Sequence, residues 1–234
     1  MIAPEQVEVV GDFTSFGIHA FTTTRATGSF SSGSDEPVRV VMARWDALRA
    51  TAAAQGVHRL ATAAQVHGAR VLVHAPGWEG WLRGPAADGH VATTRGTALA
   101  VTIADCVPIF LAHPSGAVAA LHSGWRGTAA RIVEQGIAAL THRGYPATEL
   151  RMHLGPAICG RCYQVSADVV RQLTGESVPE ARPVDLRAMI ADHARALGVH
   201  AISISSTCTR CDNDRFYSHR AGDSGRQVAV IYAA

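Results

Sequence analysis

Three short apolar runs, residues 99–103, 107–112 and 117–121, follow one another with only brief polar breaks between them. Each is short, continuous and compatible with extended backbone, so all three read as buried strands, and burying them calls for a layered structure. The breaks carry the chemistry. Cys106 lies in Ala104-Asp105-Cys106-Val107-Pro108, and His122 closes the third run ahead of Ser123-Gly124-Trp125-Arg126-Gly127-Thr128. A cysteine and a histidine at such breaks can be presented together at one sheet edge. Gly124 and Gly127 are turn residues. Thr128 is the expected N-cap of a helix with Ile132, Val133, Ile137 and Leu140 on one face and Gly144 at its end, which sets a helix start near His122.

Residues 7–10 and 18–23 read as strands, and the glycine- and serine-rich 27–33 as a loop just after Arg25. Val38, Val41, Met42, Trp45, Leu48 and Ala52 recur at helical spacing between Pro37 and Gly56, predicting a surface helix. His67 falls at a turn between extended pieces, residues 78–85 read as a loop marked by glycine and tryptophan, and Asp88-Gly89 opens another strand. Further on, strands are expected at 152–154, 201–205 and 227–232, and helices from Ala167 and from Leu186, the second closed by Gly198. Strands and helices do not alternate regularly and no Gly-x-Gly-x-x-Gly follows a strand, which favours an α+β layer structure with mixed sheets over a doubly wound nucleotide fold. A length of 234 residues fits a single domain over 1–234.

All 21 basic residues are arginine. A Schiff-base lysine, a pyridoxal-phosphate lysine and a P-loop lysine are therefore impossible, and any anion must be held by arginine, backbone N–H groups or a metal. The formal net charge of +2 argues against binding nucleic acid or a membrane surface through bulk electrostatics and points to small molecules as partners. Residues 1–6 show no basic segment leading into an apolar one, and no apolar run approaches the roughly 20 residues of a spanning helix. The expectation is a soluble, cytoplasmic monomer whose five cysteines are thiols or metal ligands and not a disulfide frame.

His67, Cys106 and His122 each adjoin a turn residue and together form a His/Cys/His set. Three protein ligands with a fourth position open is the arrangement of a catalytic zinc, which lowers the pKa of bound water to about 7 or polarises a bound anion. Spacing alone leaves a plainer reading open, two of 12 histidines beside a buried apolar thiol. Two Cys-x-x-Cys pairs, Cys159 with Cys162 and Cys208 with Cys211, leave three readings open: a structural zinc, an oxidation-prone thiol pair, or unligated cysteines. The stretch between the pairs is much longer than in a zinc ribbon, and the context of a thioredoxin-like motif is missing.

Gln65-Val66-His67-Gly68, Ala104-Asp105-Cys106-Val107-Pro108, His122-Ser123-Gly124-Trp125-Arg126-Gly127-Thr128, Leu154-Gly155-Pro156-Ala157-Ile158, Cys208-Thr209 and Phe216-Tyr217-Ser218-His219-Arg220 occur in this order. Together they resemble the YfiH/YlmD family, once called multicopper polyphenol oxidases or laccase-domain proteins and now regarded as purine nucleoside phosphorylases. The resemblance runs from about residue 18 to the end. It implies an α-β-β-α layered fold distantly related to cysteine-hydrolase toxins, and a zinc held by His67, Cys106 and His122, with copper the metal of the older family name. It also implies phosphorolysis of adenosine, inosine and methylthioadenosine, with some adenosine deamination.

Phosphate and a purine nucleoside are then the substrates, and Arg25, Arg126 and Arg220, with Gln65 and Ser218, are the residues that would contact them. The helix start near Thr128 would add N–H groups for the anion. Asp105 could orient a ligand or act as acid or base. Trp125 reads as core packing in preference to a base-stacking platform. The chain departs from the family pattern between Arg25 and the following helix. There Ser-Glu-Gly-x-x-x-x-x-Asn-Leu-x-x-His-Val-Gly-Asp is collapsed to Ser29-Phe30-Ser31-Ser32-Gly33-Ser34-Asp35, so the 27–37 loop is short and the site is expected to be more open. Ser123 replaces the alanine of His-Ala-Gly-Trp, a small change.

Competing functions are a cysteine hydrolase or deamidase with Cys106 as nucleophile and His122 or His67 as base, and a non-catalytic cell-wall or division-associated factor. A copper oxidase of the familiar kind is disfavoured, because its several His-x-His pairs have no counterpart among the 12 histidines.

Overall fold

The computed structural model describes residues 3–234; Met1 and Ile2, at the start of the segment read for a leader, lie outside the described residues. The chain begins with β1 (Val7–Val9), β2 (Ile18–Thr23), α1 (Val38–Ala53), β3 (Arg59–Ala64), β4 (Val71–His74), β5 (Gly80–Ala86) and β6 (Gly89–Ala92). The central strands follow, β7 (Thr97–Ile103), β8 (Val107–Ala112) and β9 (Val118–Ser123), then α2 (Trp125–Ala129) and α3 (Ile132–Thr141). The remainder is β10 (Arg151–Leu154), β11 (Gln164–Val165), α4 (Ala167–Thr174), β12 (Arg182–Pro183), α5 (Leu186–Ala196), β13 (Ala201–Ile204) and β14 (Gln227–Ala233). Among the described residues no helix is long and apolar enough to cross a membrane.

Two six-stranded sheets form, in the orders β1-β2-β14-β7-β3-β5 and β13-β10-β8-β9-β6-β4, and β11 pairs with β12 alone. Both large sheets are mixed. In the first, β3 runs parallel to β5 and β7 while β14 is antiparallel to its neighbours; in the second, β8 and β9 are antiparallel and β4 is parallel to β6.

Side-chain alternation assigns the layers, since successive residues of a strand face opposite ways. In β7, Leu99 and Val101 enter a core shared by the two sheets, while Ala98 and Ala100 meet Val41, Trp45 and Leu48 of α1. In β8, Phe110 and Ala112 join the shared core, while Ile109 and Leu111 pack with Ile137 and Leu140 of α3 and Ile190 of α5. The order is helix, sheet, sheet, helices, and the continuous apolar runs reflect strands covered on both faces. Full burial of such aliphatic and aromatic side chains is worth about 1.5–3 kcal/mol each.

Three expectations are corrected. Residues 78–85 are mostly strand: β5 pairs in parallel with β3 at the edge of its sheet, with a register shift between Ala63 and Ala64, and an edge with such an irregularity tolerates Pro85 and two glycines. The helix after His122 starts at Trp125 with Gly124 as N-cap; Thr128 lies inside it, its hydroxyl donating to the Gly124 carbonyl at 3.0 Å and meeting Ser123 Oγ at 2.9 Å. Arg131, at φ 60°, then breaks the chain into the short α2 and the longer α3, so the helix start expected near Thr128 is that of the five-residue α2 at Trp125. On α1, Val41, Trp45, Leu48 and Ala52 are buried as expected, whereas Val38 and Met42 face solvent.

Candidate metal and active site

The site lies where the chain passes from one sheet to the other. The β3 to β4 connection, which carries His67, and the β7 to β8 turn, which carries Cys106, both make that passage. His122 stands in β9, in register with Pro108 of β8. The ligand atoms of His67, Cys106 and His122 all lie within 4.8 Å of one another, and the two imidazoles meet edge to face with centroids 4.8 Å apart. Gly124 permits the approach, because a Cβ there would stand 2.9 Å from Cys106 Sγ.

Backbone strain concentrates here. Among the described residues, the non-glycine residues with positive φ are His67 (60°), Asp105 (81°) and Arg131 (60°), two of them in the site. What holds the His67 turn is Asp88, whose side chain is fully buried. Its Oδ1 accepts from the His67 N–H at 2.9 Å, and its Oδ2 from the Gly68 N–H at 2.7 Å and the Val66 N–H at 3.2 Å. Oδ1 also lies 2.9 Å from His122 Nδ1. With Nδ1 donating to the carboxylate, Nε2 is left to meet Cys106 or a metal, the support that a ligating histidine usually has. Sequence reading missed this role; the only signal was an acidic residue in a turn directly before a strand.

The electrostatics are those of an ion pair. Loss of solvation raises the Cys106 thiol, but the His122 charge and hydrogen bonds from His122 and His67 outweigh it and bring the thiol down to about 6. Burial lowers His122, and the Cys106 and Asp88 charges and hydrogen bonds overcome that and raise it to about 9. For Asp88, burial raises the carboxyl, and bonds from His122, Gly68 and Val66 bring it below its usual value.

Two cavities border the triad. One, of about 300 Å³, is lined by His67, Asp105, Cys106, Trp125, Arg126, Tyr163, His219 and Arg220 among others. The other, of about 330 Å³, is bordered by Ser31, Gln65, His67, Cys106, His122, His219 and Arg226. A roomier cavity of about 680 Å³ lies beside α1, and neither metal-competent cluster found among the described residues borders it.

The expected substrate residues divide. Arg126 stacks over Trp125 at 4.3 Å in the first cavity, and Arg220 lies over Tyr163 at 5.1 Å while donating to the Gln164 carbonyl. Gln65 reaches the second cavity, but its carboxamide exchanges hydrogen bonds with the backbone of Thr102. Arg25 and Ser218 border neither cavity. Arg25 pairs with Asp223 at 2.6 Å, donates to the Asn213 carbonyl and stacks on Tyr217; Ser218 is buried and its Oγ accepts from the Ala221 N–H. Both brace the loop after β13. Each Asp105 carboxylate oxygen accepts one hydrogen bond, Oδ1 from Thr209 Oγ1 at 2.6 Å and Oδ2 from the Arg220 N–H at 2.7 Å. It positions the Cys106 turn. Trp125 lines the cavity as well as packing, and Tyr163 and His219 join it without having been singled out in the sequence.

A family profile described as multi-copper polyphenol oxidoreductase laccase matches residues 20–234, and the chain belongs to that family. Among its relatives, a purine nucleoside phosphorylase of Deinococcus radiodurans is 36% identical over 91% of this chain and 88% of its own length. One of Mycobacterium tuberculosis is 35% identical over 92% of both chains. In fold, the chain superposes on YlmD of Geobacillus stearothermophilus with a TM-score of 0.83 at 27% identity, over 99% of this chain and 94% of that one. The hypothetical protein YfiH of Bacillus licheniformis gives 0.87 at 22% identity, over 100% and 98%.

Proposed function

We propose that this protein is a zinc-dependent purine nucleoside phosphorylase acting on adenosine, inosine and methylthioadenosine, with adenosine deamination as a side reaction. The observation that carries the reading is the convergence of His67, Cys106 and His122, two of which, His67 and Cys106, line a cavity together with Trp125, Tyr163 and Arg126. The names of the relatives matched over nine-tenths of the chain support it.

Two imidazoles and a thiolate, with a carboxylate behind one imidazole, suit zinc with one position left open. The family name points to copper, yet no two of the 12 histidines stand two residues apart, as His-x-His ligation requires. When bound, the metal supplies Lewis acidity toward an anionic oxygen. In phosphorolysis an oxygen of phosphate bonds to C1′ of the sugar as the C1′–N9 bond breaks. The electron pair departs with the purine, which takes up a proton, giving free base and ribose 1-phosphate. With no lysine in the chain, Arg126 and Arg220 are the groups we assign to hold phosphate against the sugar, a matter of alignment and charge compensation. Trp125 and Tyr163 offer flat faces to the purine, and His219 is the residue we assign to deliver its proton.

Cys106→Ala is expected to remove turnover while leaving the thermal transition cooperative. Retained turnover in that variant would contradict the proposal.

A second reading has one observation in its favour, the depressed Cys106 thiol beside a raised His122, which is also how a cysteine nucleophile is activated. A thiol hydrolase works in chelator and is stopped by an alkylating agent; the phosphorylase is expected to stop in chelator.

A further inference from the structure

The second metal-competent group lies outside the triad. Cys159 and Cys162 stand in the loop after β10, Cys208 and Cys211 in the loop after β13, and a parallel bridge between Ala157 and Cys208 sets the two loops side by side. The four Sγ atoms all lie within 4.8 Å of one another, with those of Cys162 and Cys211 at 3.5 Å, well beyond a disulfide bond, and all four cysteines are free. A tetrahedron of thiolates around zinc at about 2.3 Å has edges of about 3.8 Å, so the spacing suits one ion at the centre.

Backbone donors converge on one of the four sulfurs. The N–H groups of Cys159 and Cys211 donate to Cys208 Sγ at 3.2 and 3.4 Å. Both pairs are tight turns, with the Cys162 and Tyr163 N–H groups closing on the Cys159 carbonyl and the Asp212 N–H on that of Cys208. Gly160 is fixed there as well, since a Cβ would lie 2.9 Å from that of Asp185. Four sulfur donors leave no coordination position open, the pattern of a structural site.

We propose that Cys159, Cys162, Cys208 and Cys211 bind one zinc ion as a closed structural site, separate from His67, Cys106 and His122, that fixes a wall of the substrate cavity. The link to that wall is short. Ile158 and Tyr163 flank the first pair and line the cavity, and the Ile158 N–H donates to the Asp105 carbonyl at 3.0 Å. Thr209, inside the second pair, holds the Asp105 carboxylate. The ion would thus tie together the two loops that set the residue preceding Cys106.

The test is metal content by mass spectrometry of the full chain purified from zinc-supplemented cells, for the wild type, Cys162→Ser/Cys211→Ser and His67→Ala/His122→Ala. The expected result is about two zinc ions per wild-type chain and about one in each double variant. A Cys162→Ser/Cys211→Ser protein that keeps the wild-type zinc content overturns the proposal. If only the triad reading fails, the wild type holds one ion, kept by the histidine variant and lost from the cysteine variant. Should the cysteine variant not fold, thiol titration of the native wild type decides. Cys162 and Cys211 shielded until a chelator is added supports the site; immediate reaction of both, or a disulfide between them, overturns it.

Discussion

Asp88 does two jobs with one carboxylate, orienting the His122 ring and clamping the strained His67 turn through three N–H groups. Asp88→Asn keeps the shape, removes the charge and turns an NH2 toward groups that are already donors. Metal affinity, measured by competition with a chromophoric chelator, is expected to fall by about 10- to 100-fold, the usual cost of losing such support; wild-type affinity would contradict the role. The Cys106 and His122 shifts set a stability profile for the metal-free protein. Cys106 is lowered from 9.0 to about 6, so its contribution is full above pH 9 and is lost as the pH falls toward 6. His122 is raised from 6.5 to about 9, so its contribution is full below pH 6.5 and is lost as the pH rises toward 9. One gain offsets the other loss between pH 6.5 and 9, so this pair should leave the thermal midpoint in chelator level across that window. A steady slope through it would show that the pair does not form. The triad was legible because its members adjoin turn residues and lie in motifs that resemble those of the family; Asp88 was not, because its partners are mostly backbone N–H groups of a turn some 20 residues away.

The central strands and α1, α4 and α5 follow from apolar periodicity and flanking breakers. β5 was hidden because Gly80, Gly84 and Pro85 read as loop, and only its position at a sheet edge makes them tolerable. The start of α2 was hidden for a local reason, the Thr128 side chain bonding back to Gly124 where a cap would bond forward. Arg25 was drawn toward phosphate by its charge, whereas its guanidinium is held by Asp223 and the loop after β13. The short segment between Arg25 and α1 carries Ser31, which borders the cavity beside His122 and Cys106. A longer loop at that position would cover this face. Discrimination between adenosine and inosine, taken as the ratio of kcat/KM values, is therefore expected to be about tenfold weaker than in relatives with the longer loop, the scale of one lost packing contact. Equal ratios would show that the loop does not shape the site.

At the scale of the molecule, two mixed sheets sealed by helices hold the crossings between them rigidly, and the triad, the stacked Arg126 and the aromatic wall all gather at those crossings. The layers were anticipated from strands buried on both faces and from the family resemblance. The pairing partners were not, since β14, at the far end of the chain, sits between β2 and β7, and nothing local encodes so distant a neighbour. On the proposed function such a scaffold would align a nucleoside with an anion in a site that contains no lysine, and turnover should be tied to phosphate itself. The direct measurement is adenosine turnover against phosphate concentration, with adenine, ribose 1-phosphate and inosine quantified in the same reaction. Adenine and ribose 1-phosphate are expected to appear in equal amounts, at a rate that rises with phosphate and saturates. Base release undiminished in phosphate-free buffer, or inosine formed without free base, would contradict it.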